Sequence, residues 1–427
     1  MNKKKSLIRP FALTTVALSL SMLFGTAHAQ SVESQLIKRL DALAAELDKV
    51  KAELAQIKAK ADVPTAAATT PAMASNNAPV PSPTQLSAYG EINYTKPSKD
   101  SSATQANITR FVIGYQHRFD EKTKVVAELE VENAVASSSD SGEVAVEQVF
   151  VEHRLNDTYG LRAGLFLMPI GLVNQNHEPH TFFGVNRPTV ETAIIPSTLR
   201  EVGLQMFGEH DNGVSWSAGI STGPDLTKWN PLNAEAVESP LRTVHQEGQL
   251  AKSKDLTLFG AVDWRGIPGL RVGGGLMTGK LGHGTAGFAG VGARYTLMDV
   301  HAKWTPGAWD LTALYARGSI TGAAALNATF AGAPYLVPNA FDGFYAQAAY
   351  KFRLTGDYAI APFARYEIVN TGRGFDGSSN TGYKTEGIAT LGANFNITPT
   401  VVVKADMQRY KVVSDNNRFN LGLGFSF

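Results

Sequence analysis

Two periodicities divide the chain. Between Leu36 and Ile57 a series of apolar residues, Leu36, Leu40, Leu43, Leu47, Val50, Leu54 and Ile57, recurs in alternating steps of four and three. This is a heptad seam, with Leu40, Leu47 and Leu54 at position a and the others at d. Glu46–Lys51 and Glu53–Lys58 add opposite charges at the flanking positions. The seam predicts an α-helical coiled coil over 30–60, associating with copies of itself, a rod roughly 45 Å long. Residues 61–85 are Pro-, Ala- and Thr-rich without periodicity, which predicts an extended linker.

From Leu86 the period becomes two. Phe419, Leu421, Leu423, Phe425 and Phe427 alternate with Asn420, Gly422, Gly424 and Ser426. Phe111, Ile113 and Tyr115 alternate with Arg110, Gly114 and Gln116, and Val401, Val403, Ala405 and Met407 with Lys404, Asp406 and Gln408. Short turns fall at 120–122, 156–158, 210–212, 266–268, 306–307, 354–356 and 397–398. Longer connections separate them, near 95–108, 134–142, 168–200, 221–255, 279–289, 318–340, 371–386 and 412–417. Seven turns alternating with eight long connections imply sixteen strands, both ends lying on the short-turn side. Strands near membrane-spanning length, an even count and this asymmetry predict an all-β transmembrane antiparallel β-barrel over 86–427. Trp264, Trp304, Trp309, Tyr315, Tyr350, Phe352 and Tyr366 on the apolar face suit the membrane interfaces.

Residues 1–29 join Lys3, Lys4, Lys5 and Arg9 to an apolar stretch ending in Ala27-His28-Ala29, the pattern of a signal peptide. The barrel is then expected in the bacterial outer membrane, with the coiled coil in the periplasm. The 39 basic and 38 acidic residues of the full chain give no reason to expect a nucleic-acid partner. The absence of Cys removes disulfides, thiolate metal sites and cysteine nucleophiles.

The segments LRAGLFLMPIGLVNQNHEP (161–179) and NRPTVETAIIPSTLREVGLQMFGE (186–209), with PFARYE (362–367), VVVKADMQRY (401–410) and the NLGLGFSF ending, resemble the phosphate-selective porins O and P. That resemblance implies a homotrimeric, sixteen-stranded channel whose third long loop folds inward, and it makes terminal Phe427 an assembly signal. It further implies an anion or phosphate preference served by basic residues along the pore. Here residues 86–427 hold 29 bases against 32 acids.

Placing the polar face inward gives Arg110, Arg118, Arg162, Arg271, Arg294, Lys303, Lys351, Arg365 and Lys404 as basic lumen candidates. Glu91, Glu128, Glu130, Glu132, Glu147, Glu367 and Asp406 are the acidic ones. Fixed charges on a water-filled wall set ion preference. In the third long connection Arg187, Glu191, Arg200, His177 and His180 are candidates for the narrowest point. The two histidines lack a third ligand at useful spacing, so no metal is expected. Gly282–Gly287 fits G-x-G-x-x-G, but a strand-like stretch follows it rather than a helix. No serine motif accompanies His117 or His153, and neither a catalytic residue nor a cofactor is expected. The sequence therefore predicts a passive diffusion channel for small hydrophilic solutes or ions. The alternative is a structural tether that links the outer membrane to the cell wall through the coiled coil.

Overall fold

The computed structural model describes residues 82–377 and 383–427, together with Lys38, Ala45, Asp48, Lys49 and Lys51. The chain divides into two units, 1–78 and 79–427. In the first unit the five described residues are helical. The heptad seam, the signal peptide and nearly all of the linker lie outside the described residues.

The second unit is an antiparallel sheet closed on itself. Its strands are β1 (Thr84–Pro97), β2 (Gln105–Arg118), β3 (Thr123–Glu132), β4 (Glu143–Arg154), β5 (Tyr159–Leu167), β6 (Arg200–Glu209), β7 (Val214–Ser221) and β8 (Thr257–Trp264). Then follow β9 (Leu270–Lys280), β10 (Arg294–Trp304), β11 (Trp309–Thr321), β12 (Ala340–Tyr350), β13 (Phe352–Arg353), β14 (Ala359–Gly374), β15 (Glu386–Thr398), β16 (Val401–Tyr410) and β17 (Arg418–Ser426). Each strand pairs with its neighbours in sequence, and β1 pairs with β17 from Tyr89↔Ser426 to Pro97↔Arg418, which closes the ring. The two-residue β13 continues β12 along β14 after a break at Lys351, so the seventeen segments form sixteen staves. Closure leaves no free sheet edge, the condition for a sheet to span lipid.

Six of the seven short turns fall where expected; the seventh lies at 399–400, just beyond the expected 397–398, which still belong to β15. Asp120 accepts from the amides of Lys122 at 2.8 Å and Thr123 at 2.7 Å, and Asn156 from those of Thr158 and Tyr159. A side-chain acceptor two residues ahead stabilises a tight reversal. Outside, the alternation leaves an apolar band including Ile113, Val151, Leu204, Val262, Val300, Leu391 and Leu421 exposed. At the turn side Trp309, Tyr350 and Phe352 cluster on this face, with centroids 5.0 and 4.7 Å apart. The band and its aromatic margin are those of an outer-membrane barrel.

Inside, the structure departs from a uniformly polar lumen. Phe259, Met277, Tyr295, Leu297, Leu314, Ile320, Phe341 and Tyr345 point inward from β8–β12 and are buried. They pack against Met168, Ile170, Val190, Ile194 and Ile195 of the third long connection, and against Leu226 and Val244 of the fourth. One part of the wall thus carries an apolar core between barrel and loops.

Candidate functional site: the inward loop and the chambers it bounds

The connection 168–199 leaves β5 and crosses the interior before rejoining the wall at β6. Its own ends are tied together by Asn174, which donates to the carbonyls of Met168 and Leu199 and accepts the Leu199 amide at 2.7 Å. Wall side chains then hold its backbone. Asp299 on β10 accepts the Gly171 amide at 2.9 Å, and Asp406 on β16 accepts that of Val185 at 2.6 Å. Asn394 on β15 takes the Gly184 amide and donates to the Phe182 carbonyl. Glu367 on β14 accepts the Val190 amide at 3.1 Å, where Val190–Ile194 makes a single helical turn. A loop inside a barrel must find partners for its peptide groups, and these side chains supply them.

Several predicted pore residues belong to this fastening. Arg365 donates to Glu367 at 3.0 Å and to the carbonyls of Phe183 and Asn186, and both charged side chains are fully buried. Glu191 is fully buried too; it accepts the amides of Leu172 and Val173 and the Tyr345 hydroxyl at 2.6 Å. Burial pushes the Glu191 carboxyl above its usual range, and those three donors work against that rise. Lys404 lies beneath the ring of Phe182, 3.6 Å from its centroid. Glu191, Arg365, Glu367, Lys404 and Asp406 are therefore fixtures of the loop, contrary to the expectation of free pore-lining charge. Charged groups serve here because a buried backbone amide binds a carboxylate more strongly than a neutral acceptor.

Arg294 is a second correction. It lies on the face of β10 that carries Met298, Val300 and Trp304, the outward face, and is exposed. The strand's inward residues are Tyr295, Leu297, Asp299, His301 and Lys303. Arg118 ends β2 at a short turn, exposed and outside the chambers.

Of the remaining candidates, Glu91, Arg110, Glu130, Glu132, Arg187, Arg200, Arg271, Lys303 and Lys351 line chambers on the two sides of the loop, whereas Glu147 is fully buried against His177 and Glu128 meets Gln148 at 2.7 Å. A chamber of about 460 Å³ toward the long connections is bordered by Glu91, Arg110, Glu130, Glu132, Arg187 and Arg200. Arg110 sits among three carboxylates, 3.0 Å from Glu130, 3.5 Å from Glu132 and 3.7 Å from Glu91. Among the described residues Arg187 has one hydrogen bond, a long one to the His177 carbonyl. Burial and the nearby Arg110 lower its affinity for its proton. Arg200 pairs with Glu247 at 2.8 Å. Glu247, with Glu235 and Arg242, comes from the connection 222–256 and had no sequence signal, because that stretch has no periodicity.

Toward the short turns, a chamber of about 480 Å³ holds Asp263, Arg271 and His301, and one of about 280 Å³ holds Lys303 and Lys351. Arg162 faces inward on β5, paired with Glu152 at 2.9 Å and stacked over Phe150. The two loop histidines serve different walls. His177 meets the Tyr89 hydroxyl at 2.8 Å and Glu147 at 3.2 Å, while His180 meets Ser426 at 3.0 Å.

No protein-family profile matches the chain. An uncharacterized protein of Aquifex aeolicus is 29% identical over 362 residues, spanning 80% of this chain and 79% of that one. Among solved structures, OmpF of Salmonella typhi in complex with daunomycin aligns with 81% of this chain and 97% of its own. It does so at TM-score 0.54 and 12% identity. OmpT of Vibrio cholerae, in its trimer form, aligns over 81% of this chain at TM-score 0.47 and 12% identity. The fold is that of an outer-membrane porin: a closed barrel of sixteen staves.

Proposed function

We propose that this protein is a passive diffusion channel of the outer membrane for small hydrophilic solutes and ions. The observation that carries the reading is the inward loop, fastened to β10, β14, β15 and β16, with charged, wet chambers on either side. A loop held so firmly sets a fixed narrowing, and the groups left facing water beside it decide which ion passes. Unlike Arg110 and Arg200 in the same chamber, Arg187 has no carboxylate within salt-bridge distance among the described residues. An anion preference, with phosphate as the ligand class in a phosphate-selective porin, rests on Arg187 alone, since Arg110 is outnumbered by the three carboxylates around it. A homotrimer, with residues 30–60 as a periplasmic coiled coil, completes the proposal.

Purified protein in planar bilayers should give stepwise conductance, in groups of three for a trimer; a tight membrane without steps overturns the channel. Arg187→Ala should move the reversal potential in a salt gradient toward cations while steps persist, and an unchanged potential removes Arg187 from selectivity. The apolar filling along β8–β12 favours a second reading, a structural tether whose barrel conducts little. Loss of envelope attachment on deleting residues 30–85, in a protein that gives no steps, would support it.

A further inference from the structure

His301 of β10 stands between two carboxylates. Its Nδ1 lies 2.6 Å from Asp299 on the same strand, and its Nε2 lies 2.9 Å from Asp263 on β8. A neutral imidazole has one N–H and one lone pair, and an ionised carboxylate only accepts. Both contacts are hydrogen bonds together only if the bridge Asp263–His301–Asp299 holds two protons, one in each contact. With one proton gone, a lone pair faces an oxygen in one of them.

The bridge ends on the inward loop. The other oxygen of Asp299 accepts the Gly171 amide at 2.9 Å, where the connection turns away from the wall. Gly171 has φ +76°, and a Cβ there would lie 2.7 Å from Glu191 Oε2, so the turn passes without clearance. Asp263 has cations of its own: Arg271 on β9 holds both its oxygens, at 2.7 and 2.8 Å, and Arg265 lies 3.7 Å away. Asp299 is buried, and among the described residues His301 is the only base within salt-bridge distance of it. The flanking strands add no charge to compensate it. Gly273 of β9 and Leu314 of β11 stand opposite His301, and Lys303, the next inward residue of β10, pairs with Asp310 at 3.3 Å. From the loop side comes only a second buried carboxyl, Glu191.

We infer that His301 is a positioning residue for the inward loop: doubly protonated, it is the cation that keeps Asp299 on the Gly171 amide. A buried carboxylate that loses its cation is costly, and water can relieve that cost. Gly171, Asp263, Arg271 and His301 all border the chamber of about 480 Å³, so water is at hand. Loss of the proton turns Asp299 toward that water and slackens the loop at its root. The sign follows: the anchorage is complete at acid pH and is lost as pH rises through the titration of the bridge. The anchorage rests on the fold, whereas its effect on current rests on the channel reading.

Hydrogen exchange of the full chain in detergent, read by mass spectrometry and divided by the intrinsic rate at each pH, tests the anchorage. At about pH 6, His301→Gln, which carries no charge, should exchange the amides of 170–173 at least about tenfold faster than the wild type. Between about pH 6 and about pH 9 the wild type should lose protection there, while His301→Lys, charged throughout, should keep it. The amides of 184–190, held by Asn394, Asp406 and Glu367, should behave alike in all three proteins. In planar bilayers the open-state current noise should follow the same order: high for the Gln variant at both pH values, low for the Lys variant, and rising with pH in the wild type. Membranes without steps would defeat the channel reading and leave the exchange result to decide this one. Equal protection of 170–173 in the wild type and a folded His301→Gln overturns the inference. If that variant does not fold, wild-type protection at 170–173 that is indifferent to pH overturns it as well.

Discussion

An inward carboxylate has two possible fates in this barrel, and the difference lies in what its oxygens meet. Glu130 and Glu132 share Arg110 and border water, whereas Glu367, Asp406 and Asp299 accept amides of the crossing loop. Alternation put Glu130, Glu132, Glu367 and Asp406 on one polar face and passed over Asp299. It could not separate them, because the partner is a backbone amide far away along the chain. Arg365 shows the consequence. Arg365→Ala would leave the buried Glu367 carboxyl without its cationic partner. Breaking a buried pair in this way costs roughly 3–5 kcal/mol. Arg187→Ala removes a side chain with a single long hydrogen bond and should cost much less. Urea unfolding in detergent micelles should rank the two; equal midpoints would mean that Arg365 is not a fastening.

At the scale of elements, legibility followed the number of faces each strand buries. β17, with Leu421 and Leu423 outward and Asn420 and Gly422 inward, announced itself by strict alternation. The short turns were marked either by residues such as Asp120, Asn156 or Asn212 whose side chains accept nearby amides, or by Gly and Pro, as at Gly266-Ile267-Pro268 and Pro306-Gly307. Strands β8–β12 bury apolar residues inward as well, so Leu297 or Ile320 carries no contrast with its neighbours and the internal core went unread. Arg294 was misplaced for a related reason: an isolated base resembles a lumen residue unless the parity of the whole strand is followed. Parity has an energetic test at Leu391, exposed midway along β15 and directly opposite the exposed Met407 of β16. Leu391→Arg should lower folding stability by about 2–4 kcal/mol in lipid vesicles if it sits near the midplane. A change below 1 kcal/mol would place that residue away from the hydrocarbon.

For the whole molecule, the decisive contact is between residues far apart in sequence. β1 meets β17 only after everything between them has been placed, and the seam ends at Ala88 and Phe427. Their backbones exchange hydrogen bonds of 3.0 and 2.9 Å, while the Phe427 ring remains 77% exposed. A large terminal ring packed against little contributes little to the finished barrel, since exposed apolar surface yields no burial energy. Its exposure on the outward face suits recognition before closure, the assembly role implied by the resemblance. Phe427→Ala should therefore reduce the yield of barrel in the outer membrane several-fold. The molecules that do assemble should match the wild type in unfolding midpoint and single-channel conductance. Equal yield would strip the terminal ring of its assembly role. A lowered midpoint in the assembled protein would move the ring's contribution from the act of closing to the stability of the closed seam.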